Sequence, residues 1–343
     1  MNLTVHQFDL PLKHPFTISR ESHTVQPTVI AELEQDGIRG FGEATTNAYY
    51  GVTSESLREK LESTNSFLKT ISLRETAPAT LWEELSTRLD DSFSLCALDQ
   101  AAHDLWGKLH GKTVHQLWGV SMDRVPTSCF TIGIDTIEKM VEKLNEMPGW
   151  PSYKIKLGTD NDVEIVTALR HHTDAAFRVD ANCGWTVEQT LRNAELLANL
   201  GVEFIEQPLA ADDWPGHRTL FEKSALPIFA DESCIVESDV ARCMEHFHGI
   251  NIKLVKCGGL TPARRMIAEA KAASLQVMVG CMTESTVGIS AIAQLLPMLD
   301  YVDMDGAALL AKDIATGAYL EKGVCHFPKV AGSGVALLET GNP

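Results

Sequence analysis

At 343 residues, 44% of them hydrophobic, the chain is long enough for a barrel-sized domain plus an accessory domain and can fill a sizeable core. Its formal net charge of −17 argues against nucleic acid and anionic membranes as partners, since both need a basic face. Eight cysteines without a C-x-x-C spacing, no basic-then-apolar leader and no apolar run of bilayer length predict a reduced, cytoplasmic protein.

The first region, residues 1–124, places strands before helices. Residues 2–10 alternate weakly, and 28–33 and 38–44 flank Gln35-Asp36-Gly37, a hairpin signal. Helical spacing follows in 54–68, 81–89 and 96–109, the last with one apolar stripe. Residues 19–26 and 45–53 read as polar loops, positioned to touch substrate if this region lies over a barrel mouth.

From Cys129 a new period begins. Apolar runs at 129–134, 152–157, 176–181, 202–206, 227–231, 250–255, 276–280 and 301–303 alternate with helix-like segments such as 137–146, 162–171, 187–200 and 262–273. This is an α/β chain with a (β/α)8-type barrel in outline, spanning 125–315. Patterning weakens in the tail, 316–343, a segment able to pack back on the first domain.

The charged residues that close these runs carry the chemistry. Tyr153-Lys154-Ile155-Lys156-Leu157 puts Lys154 and Lys156 on one strand face, a costly arrangement unless carboxylates or an anion converge there. Asp180, Glu206, Asp231 and Lys256 then follow Lys156 at intervals of 24, 26, 25 and 25 residues, about one βα unit each. Charges at the C-terminal ends of barrel strands converge on one face. Each acid alone reads equally well as a cap for the following helix. Three on consecutive strands, with no His or Cys among them, suit a hard cation such as Mg²⁺ better than zinc. Lys156 and Lys256 bracket the acids and are expected on opposite sides of the cation. Salt bridging is the simpler role for either lysine, but the two together point to proton transfer, with a lysine pKa lowered towards the working pH. Gly258-Gly259 reads as a loop approaching the site, and Cys281 as a thiol with no base at a predictable position.

Taken jointly, Lys154-Ile155-Lys156, Asp180-Ala181-Asn182, Glu206-Gln207-Pro208, Asp231-Glu232-Ser233 and Lys256-Cys257-Gly258-Gly259 resemble the enolase superfamily, specifically its muconate-lactonising subgroup, over essentially the whole chain. The resemblance implies a modified (β/α)7β TIM-type barrel under an N-terminal α+β capping domain. It implies Mg²⁺ on Asp180, Glu206 and Asp231, with Lys154, Asn182 and Glu232 in supporting positions and Lys156 and Lys256 exchanging acid and base roles. Asp303-Met304-Asp305 is similar to the Asp-x-Asp signature of dipeptide epimerases, where the pair binds the substrate ammonium. The segment from Gly280 to Ser285 is similar to their seventh-strand loop, bringing in Cys281 and Glu284, and Thr131 is similar to a substrate-contact position. In relatives acting on L-Ala-D/L-Glu from murein turnover, an arginine of the first capping loop binds the Glu side chain; here the counted equivalent is Glu21, with Arg20 adjacent. The implied activity is dipeptide epimerisation, and the expected partners are a small-molecule dipeptide and further copies of the chain in a homo-oligomer. The alternatives are an N-acylamino-acid racemase, whose substrate carries no ammonium, and an o-succinylbenzoate synthase or muconate cycloisomerase, which has no use for the Asp pair. A non-catalytic binding protein of the same fold would have no use for the lysines.

Overall fold

A computed structural model describes residues 1–19 and 21–338; Arg20 lies outside the described residues. β1 (Asn2–Ile18) pairs antiparallel with β2 (Glu21–Gln35), which turns through Asp36 and Gly37 into β3 (Ile38–Thr45). Both turn residues take positive φ, 55° and 77°, the backbone a two-residue hairpin needs. The segment read as a first loop is largely strand. β1 and β2 run on as a paired ribbon to Ile18 and Glu21, because a backbone ladder tolerates the polar, exposed side chains that resemble a loop in sequence.

Helices α1 (Ser54–Ser63), α2 (Asn65–Leu68), α3 (Pro78–Ser86), α4 (Ser92–Leu109) and α5 (Val114–Leu117) complete this domain. Thr53 and Asp91 cap α1 and α4 by accepting from Ser56 N and Ser94 N. α4 is buried on nearly every side, since it contacts the sheet on one face and the barrel on another. β3 lies so close to it that a Cβ on Gly42 would collide with the Ala97 backbone oxygen.

The barrel strands are β4 (Phe130–Ile132), β5 (Ser152–Lys156), β6 (Ala176–Asp180), β7 (Val202–Glu206), β8 (Ile228–Ala230), β9 (Gly249–Ile252), β10 (Gln276–Gly280) and β11 (Tyr301–Asp303). They pair in parallel in that order, and a bridge from Ser128 to Val302 joins the last to the first. Their helices are α6 (Ile137–Glu146), α7 (Asp162–Arg170), α8 (Val187–Ala198), α9 (Trp214–Lys223), α10 (Glu237–Cys243), α11 (Leu254–Cys257), α12 (Leu260–Ala272) and α13 (Thr286–Ala293). β11 is followed by a 3-10 turn, Gly306–Leu309, where an eighth barrel helix would stand, so the architecture is (β/α)7β.

One boundary changes the site. β9 stops at Ile252, and Lys253 opens the turn into α11, which carries Lys256.

The two domains are pinned together beside the barrel mouth. Asp99 of α4 accepts from the N–H and hydroxyl of Thr261 at 2.8 and 2.7 Å, and Trp82 Nε1 donates to the Gly258 carbonyl at 2.8 Å. Gly258 and Gly259 take φ of 98° and 119°, and a Cβ on Gly259 would press on the Asp99 carboxylate. The glycine pair therefore serves the domain contact rather than the site. On the other side Glu43 of β3 accepts from Ser285 N, Ser285 Oγ and Gly288 N, fixing the start of α13. The segment after Ala315 returns to α4, where Ser333 N donates to Asp104 and Lys108 to the Val335 carbonyl.

Candidate active site

Strand register brings the charged residues together. Lys156 on β5 is the partner of Asp180 on β6, and Asp180 is the partner of Glu206 on β7, so the three form one row at the strand ends. Asp231 follows β8 by one residue. Ligand oxygens of Asp180, Glu206 and Asp231 lie within 4.8 Å of one another, and all three residues are buried. Lys154, two residues before Lys156 and so on the same face, reaches Glu206 at 2.8 Å, Asp303 at 2.9 Å and Asp180 at 3.2 Å.

Above this row a cavity lies between the barrel and the capping domain. The barrel contributes Lys154, Lys156, Asn182, Asp231, Glu232 and, from the far wall, Lys253. Thr131, Cys281, Asp303 and Asp305 line it as expected from the sequence. The capping domain contributes Ile18, Glu21 and His23 from the β1–β2 ribbon and Thr46, Asn47, Tyr49 and Tyr50 from the loop after β3.

Two expectations are corrected. Lys256 does not line the cavity; its ammonium is held by the backbone oxygen and Oδ1 of Asp231 and by the Cys234 carbonyl. Lys253 takes the place expected of it, with Nζ 2.9 Å from Asp231 Oδ2. Strand alternation carries the signal that the regular 25-residue step obscured. Asn251 donates to Glu206 inside the barrel, so Lys253, two residues on, shares its face, whereas Lys256 sits in the helical turn beyond. Glu284 also leaves the cavity; it is buried behind Cys281–Thr283, accepts from Met282 N, and is coupled electrostatically to Glu43 of the capping domain. Tyr50, His23 and Asn251 were not singled out from sequence, since none belongs to a charged strand end.

The electrostatics follow from burial. Desolvation and then the Asp180 charge push the Glu206 carboxyl up to about 8, so the acids repel one another strongly enough to favour a cation among them. Asp231 is nevertheless held well below the usual range: burial raises it, and Lys253 and Lys256 more than offset that. Lys253 moves upward rather than towards neutrality: burial lowers it, but Asp231 together with Glu206 and Asp180 more than offsets that. In the Asp-x-Asp pair, Asp303 is held low by the Lys154 ammonium against burial, while Asp305 is driven well above its ordinary value by burial and by Asp303. Thr131 N–H donates to Asp305 at 2.6 Å. The Cys281 thiol is pushed up by burial and by Asp303, which suits a contact residue and not a nucleophile.

An oxygen-only set of three converging, buried carboxylates fits a hard divalent cation. A 1,1-proton transfer at such a site would need a base on each face of a substrate. Lys156, 2.7 Å from Asp180, and Lys253, 2.9 Å from Asp231, stand on strands four steps apart in a barrel of eight, hence on opposite walls.

The family model described as mandelate racemase / muconate lactonizing enzyme, N-terminal domain, matches residues 1–119, and that described as enolase C-terminal domain-like matches residues 136–340. An L-Ala-D/L-amino acid epimerase of Flavobacterium johnsoniae is 55% identical over 98% of this chain and 100% of its own length. A solved dipeptide epimerase of Methylococcus capsulatus, complexed with Mg and the dipeptide L-Arg-D-Lys, superposes with a TM-score of 0.89 at 32% identity, covering 97% of this chain and 98% of that one. The N-succinyl Arg/Lys racemase of Bacillus cereus superposes with a TM-score of 0.87 at 29% identity over 99% of this chain and 96% of that one.

Proposed function

This chain belongs to the mandelate racemase/muconate lactonizing enzyme family of the enolase superfamily, and from that premise we propose that it is a Mg²⁺-dependent dipeptide epimerase acting by two-lysine 1,1-proton transfer. Its substrates are dipeptides of the L-Ala-D/L-amino acid class, in keeping with what its 55% identical relative is called. L-Ala-D/L-Glu from murein turnover is one member of that class, and the cytoplasm is the compartment in which we place the enzyme.

The cation site is Asp180, Glu206 and Asp231, and the bound Mg²⁺ supplies the positive charge that stabilises the substrate carboxylate once the neighbouring α-proton has left. Lys156 and Lys253 are the two bases: one takes the α-proton from its face and the other delivers a proton to the opposite face, with roles exchanged for the other epimer. Lys154 is held by Glu206, Asp303 and Asp180, so it serves the acids and leaves proton transfer to Lys156. Asn182 and Glu232 support the floor of the site, and Thr131 and Cys281 contact the substrate.

The observation that carries the dipeptide reading is the Asp303/Asp305 pair on the same cavity as the lysines. One of these acids is held ionised by Lys154 and the other is pushed towards its neutral form by burial and by its neighbour, a state that a cation between them relieves. The free ammonium of a dipeptide is such a cation, and an N-acylated amino acid has none. The test is to compare kcat/KM for a free and an N-acetylated dipeptide in wild type and in Asp303→Asn/Asp305→Asn. The double variant should lose about ten- to a hundredfold on the free dipeptide, as expected for a charge-assisted contact, and much less on the acetylated one. An unchanged ratio returns the N-acylamino-acid racemase reading to the front.

A further inference from the structure

We propose that Lys256 is a positioning residue for the cation site: its buried ammonium braces Asp231 so that one carboxylate oxygen is left to face the cation and Lys253. The inference rests on the reading of the three acids as cation ligands and is independent of the substrate's identity.

Among the three acids, Asp231 has the weakest support from the sheet. Asp180 and Glu206 are the last residues of β6 and β7, and their carbonyls accept from Leu157 N and Ala181 N across the ladder. Asp231 lies beyond β8, and its carbonyl accepts from Cys234 N, within its own turn. Gln207 Oε1 accepts from the Asp231 N–H at 2.9 Å, and Lys256 supplies the support on the carbonyl and carboxylate. It is 1% exposed, and its three N–H donors meet three acceptors: the Asp231 carbonyl and Oδ1, and the Cys234 carbonyl at 3.1 Å. With every donor engaged, Lys256 has none to offer substrate. With Oδ1 fixed by Lys256, Oδ2 is the oxygen that Lys253 reaches, at 2.9 Å. The division of labour is geometric: Lys256 works from behind the carboxylate, Lys253 from the cavity side.

Partners behind a metal ligand commonly carry about ten- to a hundredfold of the metal affinity. The test is Mn²⁺ binding to the full-length, metal-free protein by electron paramagnetic resonance, in wild type, Lys256→Met and Lys256→Gln, with circular dichroism as the control for folding. Lys256→Met is expected to fold and to bind Mn²⁺ about ten- to a hundredfold more weakly, with Lys256→Gln, which keeps two donors, in between. Epimerase assays across a Mn²⁺ titration should show a raised half-saturating metal concentration with kcat largely recovered at saturation. A general structural defect would not produce that split. Unchanged Mn²⁺ affinity in folded variants overturns the proposal. So does weakened affinity with turnover that no metal concentration restores, which is the behaviour of a proton-transfer base. Loss of fold in both variants also overturns it, making Lys256 a residue of the fold alone. Because Mn²⁺ binding is read without substrate, a failure of the dipeptide reading leaves this result intact.

Discussion

Lys253 and Lys256 are three residues apart and meet the same carboxylate from opposite sides. If Lys156 and Lys253 are the two bases, Lys156→Ala and Lys253→Ala should each lower epimerisation by about 10²- to 10⁴-fold. Each should still exchange the α-proton of one epimer with solvent, and the two variants should retain opposite epimers. Proton NMR in D₂O reads this directly; two variants that retain the same epimer would rule out bases on opposite faces. The acids and the Lys154/Lys156 pair were legible in sequence because each closes an apolar run whose alternation assigns a face. Lys253 was not, because Ile250 to Val255 is apolar enough to read as one longer strand, and only its pairing partners reveal that the ladder ends at Ile252. Glu284 was misplaced for a related reason: a motif identifies the loop, but which side chains of the loop turn outward depends on what packs behind it.

At the scale of elements, the contact between β3 and α4 decides how the capping loop sits over the cavity. Gly42 has no room for a methyl group against Ala97 and Ala101. Gly42→Ala should therefore cost about 1–3 kcal/mol of stability, as overpacking of a tight contact does, measured as a lower urea midpoint with unchanged slope. A variant as stable as wild type would show that β3 can shift away from α4 at no cost. The barrel strands were legible within a few residues, since buried parallel strands read as short apolar runs. The β1–β2 ribbon was not, because its outer half is polar and exposed and its order comes from pairing between its own strands.

For the whole molecule, the interface between capping domain and barrel carries a titrating contact. Glu284, whose ordinary pKa is 4.5, is pushed up to about 8 by burial and then by the charge of Glu43. The native state keeps a proton that the unfolded chain has lost over that interval, so this group's contribution to stability falls as pH rises from about 4.5 to about 8. Wild type should melt at a lower temperature at about pH 9 than at about pH 6, and Glu284→Gln should reduce that difference by the share this group adds to those of Glu206 and Asp305. An equal pH dependence in the variant would show that the Glu43/Glu284 contact does not titrate in this range. Among the described residues no helix is long and apolar enough to cross a membrane. The capping arrangement was expected from the resemblance, but the residues that make the domain contact were not legible, because Glu43, Asp99, Thr261 and Ser285 are far apart along the chain and nothing local pairs them.

The most direct measurement is a single reaction followed by NMR in D₂O: Mg²⁺-loaded enzyme with an L-Ala-L-amino acid dipeptide and, in parallel, its N-acetyl analogue. The expected result is deuterium at the α-carbon of the C-terminal residue with both epimers formed, and a rate about ten- to a hundredfold lower for the acetylated compound. Absence of α-deuteration across such dipeptides, or an acetylated analogue that reacts as fast as the free dipeptide, would contradict a dipeptide epimerase.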